Sequence, residues 1–346
     1  MRILVTGGSG FLGRRVVAHA VAAGQDVVGL ARSEQAARTL RGLGATDLPG
    51  DLDDPSGLAT AFVAADASAL VNLASLGFGH IGAILAATSA AGLRRTVFVS
   101  TTGIRTRLEP PTKQVRLAAE RSIEASGLNW TIIRPTMIYG GADDRNMARL
   151  LTLLARLPAA TRPGRPWPPW LAGLPPVPVP VPGAGHLHQP VHVDDLAATV
   201  LRAVAAERSV GRAYDVAGPW PLPLREIVLA AGSALGRRVH PVPVPLAPVL
   251  ALAHHYERHA ARPRLKAEQI ARLAEDKAFD IGAARHDLGH QPRPFGTGIA
   301  DQAAAMGLTG SRPTAAPPAA TPPHPRTEPQ PTPGPPPGPG RSGVPS

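Results

Sequence analysis

The chain has 346 residues, 44% of them hydrophobic, enough for one large core or two modest ones. It has no cysteine, which excludes disulfides, thiolate metal sites and cysteine nucleophiles. A net charge of +11 would suit nucleic acid, but only Lys113, Lys266 and Lys277 of the 36 basic residues are lysine; the arginines are scattered and not interleaved with aromatics, so no specific nucleic-acid site is expected.

RILVT at the start reads as a buried strand running into a glycine turn, with no leader-like segment before it, which predicts a cytosolic protein. Helix-like FLGRRVVAHAVAAG, strand-like DVVGLA and helix-like SEQAARTLRGLG follow, and the alternation continues through ALVNLA, GHIGAILAATSAAG and RTVFVST. Short valine- and leucine-rich runs separated by helical patterns imply βαβ units and a doubly wound parallel sheet buried on both faces. PPTKQVRLAAERS reads as a helix opening on proline, NWTIIRP as a strand, and ADDRNMARLLTLLARLP as an amphipathic helix leading out of the sheet.

A proline-rich insert or lid is expected over 157–189, where VPVPVP cannot form a central strand and reads as extended polyproline-like chain. Trp167 and Trp170 within it would close over a substrate, dock a partner or pin the insert. Residues 190–218, PVHVDDLAATVLRAV and RAYDVAGP, supply a helix and strand returning to the sheet, with Asp194 or Asp195 placed to cap the helix. A smaller C-terminal α/β domain is expected over 219–310. In it, PVPVPLAPVLALA (241–253) is too short and proline-broken for a membrane span and reads as a strand end and a core-facing helix. Residues 311–346 are proline-rich, have little to contribute to a core, and are expected to be disordered or a ligand for a partner domain.

The chemistry begins at TGGSGFLG: Thr6, Gly7, Gly8, Ser9, Gly10, Phe11, Leu12 and Gly13. A glycine-rich turn between a first strand and a first helix lets the backbone approach a pyrophosphate, and the helix N-terminus offers it free N–H groups. The expected unit is a Rossmann-type nucleotide domain over 1–156. At the end of the second strand stand Arg32 and Ser33 where an acidic residue would select NAD, which predicts NADP(H) preferred over NAD(H); the alternative is that Arg32 is a solvated loop residue. GDLDD places Asp51 and Leu52 beside the adenine or forms a helix-capping turn.

TGGSGFLG, GDLDD, VNLAS, FVSTTG, LAAERSIEASGLNWTIIRPTMIYG, PVHVDDLA, YDVAGP and RHDLGHQPRPFGTGI, in this order over most of residues 1–308, resemble the short-chain dehydrogenase/reductase superfamily. The likeness is to its extended and atypical epimerase/dehydratase members, and RPTMIYGGADDRNMARL is similar to a branch with relatives of a complex I accessory subunit. The resemblance implies cofactor contacts from Ala74, Arg116 and Pro135, and a substrate-orienting hydroxyl from Thr101 or Thr102. Family members carry Tyr-x-x-x-Lys on the following helix; here Thr112 and Arg116 stand at those places, so the usual proton donor is missing. Tyr139 is the reserve candidate for an acid, against a packing role. No metal site is expected from His186, His188 and His192 or from His254, His255 and His259.

These readings give an NADP(H)-binding oxidoreductase or epimerase acting on a nucleotide-sugar-like or other small oxygenated metabolite in the interdomain cleft. The alternative is a non-catalytic NADP(H)-binding scaffold or redox sensor that engages a protein partner through the insert or tail.

Overall fold

A computed structural model describes residues 1–144, 146–157, 175–260 and 267–309. The chain alternates strands and helices from the start: β1 (Arg2–Thr6), α1 (Phe11–Ala22), β2 (Asp26–Ala31), α2 (Glu34–Gly42), β3 (Thr46–Pro49), α3 (Pro55–Ala64), β4 (Ala69–Asn72), α4 (Ile81–Ala90), β5 (Arg95–Val99), α5 (Pro111–Glu124) and β6 (Asn129–Pro135). Then come β7 (Ile138–Tyr139), α6 (Met147–Ala155), β8 (Val177–Pro182), β9 (Leu187–His188), β10 (Val191–His192), α7 (Val193–Ala205) and β11 (Arg212–Val216). The rest is β12 (Leu222–Pro223), α8 (Leu224–Ala234), β13 (Val239–Val244), α9 (Leu246–His259), α10 (Ala267–Ala271), α11 (Gly282–Leu288) and α12 (Phe295–Ala305).

Seven strands form one parallel sheet in the order β11-β6-β5-β4-β1-β2-β3. This is the doubly wound Rossmann arrangement that the strand-helix alternation predicts. The chain winds outward from β1 to β3, crosses back to β4, and winds the other way, so the strand order reverses between β1 and β4. A crevice opens beyond the carboxyl ends of the strands at such a switch point.

Side chains two apart share a face of a strand, and the apolar runs divide accordingly. Ile3, Val5, Val71, Val97 and Ile133 join Val16 and Val17 of α1 and Leu196 and Val200 of α7 in one core. Leu4, Leu70, Phe98 and Ile132 join Leu58 and Phe62 of α3, Ile84 of α4 and Ile123 of α5 in the other. Strands buried on both faces cannot alternate polar with apolar residues, which is why these runs are almost unbroken.

A third core sits apart from the sheet: Met147, Leu151 and Leu154 of α6 pack with Ile227 and Val228 of α8, Phe295 and Ile299 of α12, and Tyr139. VPVPVP belongs here, and the expectation of an unpaired polyproline chain is corrected. It is strand β8, paired in parallel with β13, whose sequence VHPVPV also spaces its prolines by two. Val177 N–H donates to the Arg238 carbonyl at 2.8 Å, so Val177, Val179 and Val181 turn their N–H groups toward β13 while the prolines face outward. Proline lacks only the donor that an outer edge would leave unused.

The helix after β13 also departs from expectation. Only Ala253 of α9 is buried; it packs with Ala267, Ile270 and partly buried Leu246, Val249 and Leu250 as a small satellite, and Leu252 is exposed. No helix among the described residues is long and apolar enough to cross a membrane. Trp167, Trp170 and the tail from 311 lie outside the described residues.

Candidate functional site

The glycine turn lies at the switch point, and its packing shows why each glycine is there. Gly7 has φ +69°, and a Cβ on it would stand 2.9 Å from the Ala74 backbone nitrogen. Leu73 N–H donates to Thr6 O at 3.1 Å, and the buried Thr6 hydroxyl donates to Asn72 Oδ1 at 2.6 Å, so the ends of β1 and β4 are laced together. Gly10 N–H donates to Gly7 O at 3.0 Å, closing the turn. A Cβ on Gly13 would collide with Gly7 O and stand 2.7 Å from the Gly8 carbonyl carbon, so only glycine lets α1 sit this close to the turn. Gly8 lies under Leu40, Leu12 is buried in the sheet core, and Gly10 is exposed as the N-cap of α1 with no side chain to occupy its N–H groups. This backbone cradle fits a dinucleotide pyrophosphate.

Ser9 carbonyl accepts from Arg14 at 3.2 Å, and Arg14 is ion-paired with Asp143, fastening the 140s loop over the first turn of α1. Phe11 packs against Gly141 of that loop. Sequence reasoning missed this strap, because the two residues are 129 positions apart and share no motif.

Arg32 and Ser33 follow β2 directly and are exposed. Ser33 caps α2 by accepting from Ala36 N–H at 3.3 Å, whereas Arg32 has no hydrogen bond or ion pair among the described residues. Beyond β3, Asp51 Oδ1 accepts from Asp53 N–H at 3.1 Å, Leu52 packs on the α3 side core, and Asp54 caps α3. The capping turn weighed for GDLDD is therefore present, made by Asp54.

Beyond β4 and β5 lie the residues that would face a nicotinamide. Ala74 sits against Gly7. Leu76–Phe78 form a short turn whose Gly77 is covered by the Arg116 guanidinium, 3.1 Å from the place of a Cβ, while Phe78 is 71% exposed. Arg116 donates to Thr112 Oγ1 at 2.7 Å, so the two residues standing in the tyrosine and lysine places bond each other. Burial, and then the nearby Arg272 charge, lower the Arg116 pKa. Thr101 accepts from Gly103 N–H at 3.1 Å and is half-buried. Thr102 is buried and donates to the carbonyl of buried Pro135 at 3.2 Å, so its hydroxyl is already committed.

Tyr139 corrects the expectation of a reserve acid. Its ring is fully buried, edge-on to His192 and tilted on Phe295, and its hydroxyl is packed against Gly298 without a hydrogen-bond partner. Burial pushes its pKa up, away from any role as a donor near neutrality. The helix cap is corrected too: His192 Nδ1 caps α7 by accepting from Asp194 N–H at 3.3 Å. Asp194 instead lies 3.5 Å from Arg15, and Asp195 pairs with Arg293.

The histidines take structural places. His290 joins Thr199 Oγ1 and the Ala217 carbonyl, each at 2.8 Å, and His255 stacks on His259 with ring centroids 4.2 Å apart. Among the described residues no three histidine or acidic side chains gather in a metal-binding group. Residues 272–279 run beside 187–189: Lys277 N–H donates to Leu187 O at 2.7 Å, and Glu275 accepts from Thr106 Oγ1 at 2.5 Å and from Arg107 N–H at 2.7 Å. This brings Arg272 and Lys277 to the α5 side of the crevice, which no spacing in the sequence announces.

Residues 7–152 match the NAD(P)H-binding family model. The chain is 27% identical over 332 residues to 4-hydroxy-2-methyl-3-oxo-4-farnesyl-3,4-dihydroquinoline-1-oxide ketoreductase of Stigmatella aurantiaca, covering 85% of this chain and 92% of that one. It is 27% identical over 247 residues to NAD(P)H azoreductase of Xenophilus azovorans, covering 70% and 77%. The triphenylmethane reductase structure from Citrobacter superposes with TM-score 0.67 at 17% identity, covering 89% of this chain and all of that one, a likeness of fold. These likenesses agree with an NAD(P)H-binding chain of Rossmann fold.

Proposed function

We propose that this chain, whose residues 7–152 match an NAD(P)H-binding family model and whose motifs resemble the short-chain dehydrogenase/reductase superfamily, is an NADPH-dependent reductase of small, conjugated electrophiles. The observation that carries the reading is the glycine cradle at the switch point together with an unpartnered Arg32 at the end of β2. An acidic residue at that place would bond the ribose 2′-hydroxyl, whereas a free guanidinium suits a 2′-phosphate. Ser33 would join it, Asp51 and Leu52 would border the adenine, and Ala74 and Pro135 the nicotinamide. Arg116 would hold the adjoining ribose.

The bound nicotinamide would supply a hydride; the chain's own residues determine which acceptor suits it. Reducing an isolated carbonyl, or epimerising a nucleotide sugar, requires a group that moves a proton at the substrate oxygen. Thr112 is a poor acid, Thr102 is committed to Pro135, and Tyr139 is buried elsewhere. A conjugated acceptor spreads the incoming charge and can take its proton from water afterwards. That chemistry agrees with the azo and triphenylmethane substrates named for two proteins similar to this chain, whereas the quinoline oxide enzyme is named a ketoreductase and its ketone takes a proton at oxygen. Thr101 would orient the acceptor. Residues 1–156 and 190–218 would form the nucleotide domain and 219–310 the substrate-side domain, which β8 joins through β13.

The missing acid also favours a second reading, a cofactor-binding scaffold without turnover. Loss of NADPH absorbance on adding menadione or an azo dye separates the two. Turnover with wild type that disappears in Gly13→Ala is expected; stoichiometric NADPH binding with no turnover of either acceptor would put the scaffold in its place.

A further inference from the structure

Three cations meet beside the proposed nicotinamide end of the crevice with too little negative charge to neutralise them. Arg116 covers Gly77 and bonds only the neutral Thr112 hydroxyl. The Lys277 ammonium is partly buried and bonds only the Arg272 carbonyl. Neither is ion-paired among the described residues. Arg272 pairs with Glu268 at 2.6 Å, but its Nε is buried without a partner. Glu275 accepts from Thr106 and Arg107 but keeps its charge, which acts on Lys277, so with Glu268 it offsets two of the three cations and leaves one in excess.

A second orphan lies alongside. His188 is 3% exposed, and its Nε2 has no hydrogen-bond partner. The Lys277 charge acts on it, as the Arg272 charge acts on both Arg116 and Lys277. A partly buried cation in excess of its counter-charges, next to unsatisfied buried nitrogens, is costly to keep unless a ligand supplies acceptors. Phe78, the large exposed aromatic on the turn that Arg116 covers, offers a flat apolar surface at the same rim.

Building on the reductase reading above, we infer that Arg116, Arg272 and Lys277 form an anion-recognition cluster, with Phe78 as a stacking surface, for the acidic substituent of a planar conjugated substrate. The substituent is an oxyanion such as a carboxylate, sulfonate or phenolate. Its charge would be matched by the ammonium and guanidinium groups, and its ring would lie toward the nicotinamide side of Arg116.

The test uses two probes of nearly equal shape, lawsone, an anion at neutral pH, and its neutral O-methyl ether. Each is titrated calorimetrically into the full chain saturated with NADPH, and NADPH binding is measured first for every protein used. Lawsone is expected to bind about tenfold more tightly than the ether, a preference that weakens with added salt. Lys277→Gln and Arg272→Gln should each remove most of the preference, and Lys277→Arg should restore it. Equal binding of the two probes to NADPH-loaded wild type would overturn the cluster while leaving the cofactor site standing. A preference that survives in both folded Gln variants would overturn it as well. If NADPH itself does not bind, the reductase premise fails first, and the cluster's role in reduction fails with it.

Discussion

Arg293 grips Asp195 at three points, with its backbone N–H at 2.9 Å, Nε at 3.0 Å and Nη2 at 2.8 Å. The pair joins the first turn of α7 to the segment leading into α12, 98 residues further on. It sets Phe295 against Tyr139 and so fixes the third core to the sheet. Removing Asp195 takes away all three contacts and leaves Arg293 only the more exposed Asp301, 3.4 Å away. Asp195→Ala should lower the unfolding free energy by roughly 3 kcal/mol in urea melts, with an unchanged slope. A loss below about 0.5 kcal/mol would mean that the grip carries no net stability.

The buried hydroxyl of Tyr139 is expected to cost stability and to take no part in turnover. With no hydrogen-bond partner, its removal takes away a desolvated donor without losing a contact. Tyr139→Phe is expected to leave turnover unchanged and to raise stability by up to about 1 kcal/mol. A large drop in the reduction rate with a folded protein would restore it as the acid.

At Gly13 a methyl group would meet backbone of the turn itself, which cannot rotate away. Gly13→Ala should push α1 off the cradle, cost about 1–3 kcal/mol, and abolish NADPH binding before it abolishes folding. Calorimetric titration at a temperature where the variant is still folded distinguishes the two effects.

Acid should weaken the fold well above the range in which carboxylates protonate. Burial lowers His188 from 6.5 to about 4, and it also lowers His192 and His290. An imidazole whose folded pKa is depressed stays neutral while the unfolded chain takes up a proton, so stability is complete above the unfolded value and falls as pH drops through it. For His188 the window runs from 6.5 to about 4 and is worth up to roughly 3 kcal/mol. Carboxylates held low, such as Asp287 with its bonds from His286 and Tyr214, act only below their ordinary value of 3.8. Urea melts between pH 7.5 and 5, chosen to lie about the histidine window, should show declining stability, with a shallower slope in His188→Asn. A flat profile would contradict the buried, neutral ring.

The parts of the fold legible in the sequence are those governed by local pattern. Apolar runs alternating with helical stretches specify the parallel sheet, and TGGSGFLG marks its switch point, because a glycine turn works through backbone that neighbouring residues already determine. The pairing of VPVPVP was hidden by the rule against proline in strands, although VHPVPV, spacing its prolines in the same way, was its partner. Tyr139 could not be placed, because the turn at Gly140, with φ +118°, and the ring of Phe295 decide which way it faces. Lys277 and Arg272 reach the crevice only because their segment runs along Leu187, a tertiary arrangement with no periodicity of its own.

Parallel titrations of wild type and Arg32→Ala with NADPH and NADH test the central claim most directly. The account predicts that wild type prefers NADPH, and that Arg32→Ala weakens NADPH binding by roughly ten- to a hundredfold while leaving NADH unchanged. Equal losses for both cofactors, or no binding of either to wild type, would contradict it.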